Sequence, residues 1–249
     1  DLDRLRFSVL FNSSGTTAIP KLIAFKSETL VKNARNFADA VGSAIEGCHL
    51  ALLPAGHTSV LAHQIFPSVF SGAKVLIANG FLSIAKNWME LVAEYKISYI
   101  QVVPSIAHQM IRSVGTTNGR RLTLNETLSF VCSGSAPLYN QISEGYFATF
   151  GIPLLNLYGT SEIGPIFFPS LGYGRAGSIG RLQDRMEFKL LHQQAMEDSV
   201  VGEFLVKGPS LAEGYIDQYG NLRCFVDDEG FYHPGAILSL APPSHDWGH

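Results

Sequence analysis

Ser98-Tyr99-Ile100-Gln101-Val102-Val103 is a six-residue run dominated by β-branched and aromatic side chains, and Ser105 follows it as the cap of a helix predicted to reach about Val114. The same alternation extends in both directions. Upstream, His49-Leu50-Ala51-Leu52-Leu53 and Lys74-Val75-Leu76-Ile77-Ala78 read as short strands, separated by a helix-like run over 59–70 with Pro67 near its end. Residues 84–95 have helical spacing, and Ser27 reads as the N-cap of an earlier helix with Leu30, Val31, Ala34, Phe37, Ala38 and Val41 on one side. Downstream, Leu128-Ser129-Phe130-Val131-Cys132 predicts a strand, 138–150 a helix and 154–157 a further strand. Strands that alternate with helices and read as continuous apolar runs imply an α/β fold with a mostly parallel sheet covered by helices on both faces.

The texture changes near Pro169. Beyond it glycines punctuate short segments, Met186-Glu187-Phe188-Lys189-Leu190-Leu191, then Gly202-Glu203-Phe204-Leu205-Val206, then Gly230-Phe231-Tyr232, and helical periodicity is lost. The expected organisation is an α/β subdomain over 1–170, a smaller β-rich subdomain over 171–240 and a flexible polar tail over 241–249.

Bulk properties exclude several classes. A chain of 249 residues, 46% hydrophobic and 16% charged, is a folded protein with a sizeable core. A net charge of -3 with scattered basic residues gives no nucleic-acid footprint. Three distant cysteines, Cys48, Cys132 and Cys224, form no C-x-x-C metal pair, and Cys48 and Cys132 fall in apolar runs as core residues. No apolar run reaches the eighteen or so residues of a membrane span, and no signal peptide opens the chain, so a cytoplasmic location is expected.

In a parallel sheet, ligands sit at the carboxyl ends of strands. Ser13-Ser14-Gly15-Thr16-Thr17-Ala18-Ile19-Pro20-Lys21 lies between two strand-like runs and offers hydroxyls, a glycine and a lysine. It is either a phosphate grip or a Ser/Thr turn with an exposed lysine. It is not a Walker A loop, whose glycine-to-lysine spacing is absent. Three further loops follow strands: Leu53-Pro54-Ala55-Gly56-His57, Gly134-Ser135-Ala136-Pro137, and Asn156-Leu157-Tyr158-Gly159-Thr160-Ser161-Glu162. The last combines an amide, an aromatic face, hydroxyls and a carboxylate, which suits a base, a phosphate and Mg²⁺, or else is a polar turn with a surface glutamate. His57 is either a packed or solvated histidine or a site residue.

In this order the loops resemble those of the adenylate-forming (AMP-binding) superfamily, which includes acyl-CoA synthetases, peptide-synthetase adenylation domains and firefly luciferase. Ser13–Lys21 looks like its phosphate loop, Gly134-Ser135-Ala136-Pro137-Leu138 like the segment bordering adenine, and Tyr158-Gly159-Thr160-Ser161-Glu162 like Y-G-x-[ST]-E. Gly202–Gly208 followed by Gly214-Tyr215, and Gly230–Ala236, match two later motifs. The resemblance implies ATP and Mg²⁺ as cofactors, coenzyme A as acceptor substrate, and a small carboxylic acid, fatty or aryl, activated as an acyl-adenylate. A carrier protein is the acceptor in the peptide-synthetase alternative. By the same resemblance Ser13, Ser14, Gly15, Thr16, Thr17 and Lys21 would hold phosphates, and Gly134, Ser135, Ala136 and Pro137 would border the nucleotide. Asn156 and Tyr158 would meet adenine, Gly159, Thr160 and Ser161 would line the site with Ser161 at the α-phosphate, and Glu162 would bind Mg²⁺. His57 would flank the carboxylate, so Lys21, His57 and Glu162 are the expected catalytic residues.

Two positions depart from the family pattern. Ala18 replaces a glycine, and Ala236 replaces an aspartate that holds the ribose. The family also has a segment before the phosphate loop and a C-terminal domain carrying a catalytic lysine. The expectation is therefore a core that is incomplete for catalysis alone, with a degenerate, non-catalytic acyl- or nucleotide-binding module as the alternative.

Overall fold

The computed structural model describes residues 9–12, 21–42, 46–114, 124–169 and 177–240. Residues Ser13 to Thr17, Ala18 and the expected tail lie outside them. In chain order the first part comprises β1 (Val9–Asn12), β2 (Leu22–Phe25), α1 (Ser27–Val41) and β3 (Cys48–Ala51). Then α2 (Thr58–Val60) runs through a π-helical segment (Leu61–Ile65) into α3 (Phe66–Ser71). There follow β4 (Lys74–Ile77), α4 (Trp88–Glu94), β5 (Ile97–Val102), α5 (Pro104–Ser113), β6 (Val131–Ser133), α6 (Asn140–Phe150) and β7 (Leu154–Asn156).

Strands β3 to β7 form the expected parallel sheet, in the order β4-β3-β5-β6-β7. Side chains two apart share a face of a strand, and both faces here are buried. Ile100 and Val102 of β5, Val131 of β6 and Leu154 of β7 pack with Trp88, Met89, Ala107, Met110 and Tyr146 of α4, α5 and α6. On the other face Tyr99, Cys132 and Leu155 pack with Phe37 and Val41 of α1. Trp88 is fully buried, and its indole N–H donates to Ser113 Oγ at 2.9 Å, so its one polar atom is satisfied.

The rest is antiparallel. β8 (Tyr158–Thr160), β9 (Gly164–Phe168) and β10 (Arg181–Leu182) form one small sheet, and β11 (Glu187–Met196), β12 (Ser199–Lys207) and β15 (Tyr232–Leu240) another. β13 (Gly214–Ile216) and β14 (Leu222–Arg223) join β1 and β2 in the order β1-β2-β13-β14. Tyr215 is thereby set opposite Ile23.

Some element ends differ from expectation. Lys26, not Ser27, is the N-cap of α1: its extended dihedrals continue the path of β2, and no side chain caps the helix. α5 starts at Pro104, whose fixed φ suits a first turn, with Val103 as N-cap in place of Ser105. The helix expected over 84–95 begins only at Trp88, because Ile84 and Asn87 close tighter turns onto Phe81 and Ile84 carbonyls.

Gly164 opens β9 with φ +82°, and a Cβ there would lie 2.3 Å from the Asn33 side chain, which is fully buried on α1. Left-handed backbone costs a non-glycine residue roughly 1 kcal/mol, and overpacking typically about 1–3 more. Gly164→Ala is expected to lower unfolding free energy by about 2–4 kcal/mol, read as a reduced urea midpoint at unchanged slope.

Candidate active site

The carboxyl ends of β3, β5, β6 and β7 converge on one cavity of about 240 Å³. β3 leads into His57, Thr58 and Ser59. β5 contributes Gln101 near its end, and β6 delivers Gly134 and Ser135. β7 delivers Leu157, then Gly159, Thr160, Ser161 and Glu162. Three separate expected loops thus meet at one place, with His57, Gly134, Ser135, Gly159, Thr160, Ser161 and Glu162 all on the wall. Gly134 is fastened by its N–H to Val102 O at 3.1 Å, and Leu157 by its N–H to Ser133 O at 2.8 Å. Ser135 occupies the left-handed region, φ +65°, where a glycine would sit without strain.

Other residues singled out in the sequence are not on its wall. Asn156 ends β7 opposite Ser133. Tyr158 is half-buried with its ring 6.1 Å from that of Phe167. Ala136 and Pro137 are exposed. Ala236 lies inside β15 opposite Phe204.

Lys21 precedes β2, and its Nζ sits 4.8 Å from the centre of the Tyr215 ring. The Tyr215 hydroxyl in turn donates to Glu162 Oε1 at 2.7 Å. One aromatic ring therefore links the ammonium of the first motif to the carboxylate of the third. The Glu162 backbone is held as well: Ala212 N–H donates to its carbonyl at 2.7 Å, and Ser210 Oγ donates to Ile163 O at 2.9 Å. Burial, followed by the bond to Glu162, raises the Tyr215 phenol above its ordinary value, so it stays a donor at neutral pH.

Two histidines face the cavity, in different states. His57 caps α2, and its Nδ1 accepts from the Ser59 N–H at 3.2 Å with Ser59 Oγ at 2.7 Å. When neutral it therefore carries its proton on Nε2, and burial lowers its pKa. His63, which sequence reading passed over, is buried in the π-helical segment and stacks on Phe37, ring centres 4.5 Å apart. Its Nδ1 is 3.1 Å from Gln101 Oε1. Burial first, opposed by the bond to Gln101, pushes its pKa down to about 3. The sequence hints at this pair only through a polar Gln101 inside an apolar strand and His63-Gln64 inside the apolar helix that follows His57.

A buried carboxylate, a lysine linked to it through the Tyr215 ring, two imidazoles and a run of small and hydroxyl residues thus lie together at the strand ends. A sequence profile described as AMP-binding enzyme matches residues 6–216, and the chain belongs to that family. The 4-coumarate–CoA ligase of Pinus taeda is 24% identical over 239 residues, covering 90% of this chain and 43% of that enzyme. 4-Coumarate–CoA ligase 3 of Arabidopsis thaliana is 25% identical, covering 90% of this chain and 42% of its own length. ATP-bound MatB from Rhodopseudomonas palustris superposes with a TM-score of 0.78 at 20% identity, over 93% of this chain and 45% of that one. o-Succinylbenzoate-CoA synthetase (MenE) from Bacillus subtilis, in complex with its acyl-adenylate intermediate, gives 0.74 at 23% identity, over 92% of this chain and 46% of that one. The chain thus spans less than half the length of these relatives. Among the described residues, no helix is long and apolar enough to cross a membrane.

The depressed pKa of His63 has a consequence for stability. An unfolded imidazole titrates near 6.5, whereas the folded one does so at about 3. Below about pH 6.5 the unfolded chain takes up a proton that the folded chain refuses. The stability associated with this group is thus complete above that pH and lost, by up to about 1.4 kcal/mol per pH unit, as pH falls towards 3. Replacing His63 by leucine is expected to flatten the pH dependence of unfolding between pH 6 and 4, measured by urea titration against the parent.

Proposed function

We propose that this chain is the carboxylate-activating core of an acyl-CoA-synthetase-like ligase. It would hold ATP with Mg²⁺ and a carboxylic acid so that a carboxylate oxygen attacks the α-phosphorus. The bond from that phosphorus to the β-phosphate oxygen breaks, and pyrophosphate leaves an acyl-adenylate for a thiol acceptor such as coenzyme A. The observation that carries this reading is the single cavity at the strand ends, which collects His57, Gly134-Ser135 and Thr160-Ser161-Glu162 from three distant parts of the chain.

In this reading Lys21, with the hydroxyls of 13–17, grips the β- and γ-phosphates. Ser161 meets the α-phosphate, and the half-buried Tyr158 with Asn156 receives the adenine. Mg²⁺ binds through one or two carboxylates plus substrate phosphates. Glu162, the carboxylate on the cavity wall, would be the protein's ligand to it. The acid occupies the cavity beside His57.

Ala236 supports a second reading, binding with little turnover. A methyl group stands there, half-buried in β15, where the family has its ribose-holding aspartate.

Calorimetry with ATP and Mg²⁺ tests the proposal. A charge-assisted bond to phosphate contributes about 1.5–3 kcal/mol, so Lys21→Ala should weaken ATP by roughly 10- to 150-fold. AMP, which lacks the outer phosphates, should be affected little. A folded sample that binds no ATP at millimolar concentration would overturn the proposal, and pyrophosphate release separates turnover from binding alone.

A further inference from the structure

We infer that Tyr215 is a positioning residue that sets which divalent cation the cavity accepts, a role that rests on the reading of Glu162 as ligand to the nucleotide's cation. By engaging one oxygen of Glu162, Tyr215 leaves the carboxylate a one-oxygen ligand. Such a ligand suits Mg²⁺ and serves a larger cation such as Ca²⁺ poorly.

The Tyr215 hydroxyl donates to Glu162 Oε1 at 2.7 Å. A hydroxyl on a carboxylate at that distance makes a charge-assisted bond, and it compensates part of the charge on the oxygen it reaches. Glu162 lines the cavity and is only 7% exposed, so little water competes for its carboxylate. Oε2 is the oxygen that the hydroxyl leaves with its full acceptor strength.

The hydroxyl is held where it is. Tyr215 is flanked within its sheet by Ile23 of β2 and Arg223 of β14. Its ring packs on Phe225 with centres 4.8 Å apart, and the Lys21 ammonium lies 4.8 Å from the ring centre. Tyr232 packs on Phe225 as well, at 5.0 Å, and its hydroxyl bonds to the Tyr215 oxygen. A phenol that accepts from one neighbour keeps its own proton to give, and Glu162 takes it. The carboxylate's backbone is fixed too, by the Ala212 N–H on the Glu162 carbonyl at 2.7 Å.

Cations differ in what they ask of a carboxylate. Mg²⁺ is small and octahedral, keeps several waters and takes one or two carboxylates with the substrate phosphates. Ca²⁺ gathers about six to eight oxygens at longer distances, and a carboxylate binding through both oxygens helps to fill that shell. Glu162 held at Oε1 is therefore matched to the first cation. Tyr215→Phe frees Oε1 and relaxes the choice, while keeping the ring that packs on Phe225 and seats Lys21.

Calorimetry of ATP on the full chain, with Mg²⁺ or Ca²⁺ each in excess over the nucleotide, tests this. The parent should bind ATP about 10-fold or more tighter with Mg²⁺ than with Ca²⁺, and Tyr215→Phe should lower that ratio about 5-fold or more. A merely structural role would weaken both complexes together and leave the ratio alone. Tyr232→Phe, which removes the donor behind Tyr215, should lower the ratio in the same direction and by less. In a Glu162→Gln background Tyr215→Phe should no longer change it, because the two residues act as a pair. An unchanged ratio in Tyr215→Phe, equal affinities of the parent with the two cations, or a shift that persists in Glu162→Gln would overturn the inference. ATP binds in each of those cases, so the activating function stands without it. A parent chain that binds ATP with neither cation removes the activating function and the inference together.

Discussion

Burying a polar side chain under a parallel sheet covered on both faces is costly unless it finds a partner, and that constraint bears on the site. Along β5 the side chains alternate: Ile100 and Val102 go to the helices α4, α5 and α6, Tyr99 and Gln101 to the face under α1. Gln101 is 2% exposed, so its amide must be satisfied internally. Its Oε1 meets both the Tyr99 hydroxyl and the His63 ring, while Tyr99 also contacts the buried thiol of Cys132. The polar chain begins in the core between β5 and β6 and ends at the cavity. A line of contacts thus runs from the interior of the sheet to the cavity wall.

The sheet was legible because two-faced burial writes itself as continuous apolar runs, and the strand-end loops were legible because each carries an unusual concentration of small and hydroxyl residues. His63 was not, for two physical reasons. A lone histidine in an apolar helix has the appearance of a core residue. The π-helical winding of Leu61–Ile65 also changes which side of the helix a given position faces, so a count of 3.6 residues per turn from His57 misplaces it. Tyr215 stayed hidden for a different reason. Its role depends on β13 pairing with β2, a contact between positions nearly two hundred residues apart that no local pattern encodes.

That long-range pairing also explains how the motifs are held in one frame. With Tyr215 opposite Ile23, its ring lies beside Lys21 and its hydroxyl reaches Glu162. The sheet carrying β1, β2, β13 and β14 is thus tied to the turn between β8 and β9, and Glu162 is oriented before any ligand arrives. Fixed dipoles and charges that need no rearrangement are the usual source of catalytic advantage in phosphate chemistry. Ser135 shows the same priority for position over local comfort, since its left-handed backbone is one that glycine would adopt at lower cost.

The charge state of the cavity bears on what its histidines do. Both imidazoles have lowered pKa values, so at neutral pH neither contributes a positive charge. For most acid–base chemistry that would be a poor arrangement, because a base is wanted near the working pH. Activation of a carboxylic acid by ATP is different: the acid is already ionised at neutral pH, and no proton has to be removed for its oxygen to attack. In the proposed reaction charge compensation would fall to Lys21, to the nucleotide's own cation and to Glu162 as its ligand. In that reaction His57 would serve to orient the acid through its Nε2–H, not to move a proton.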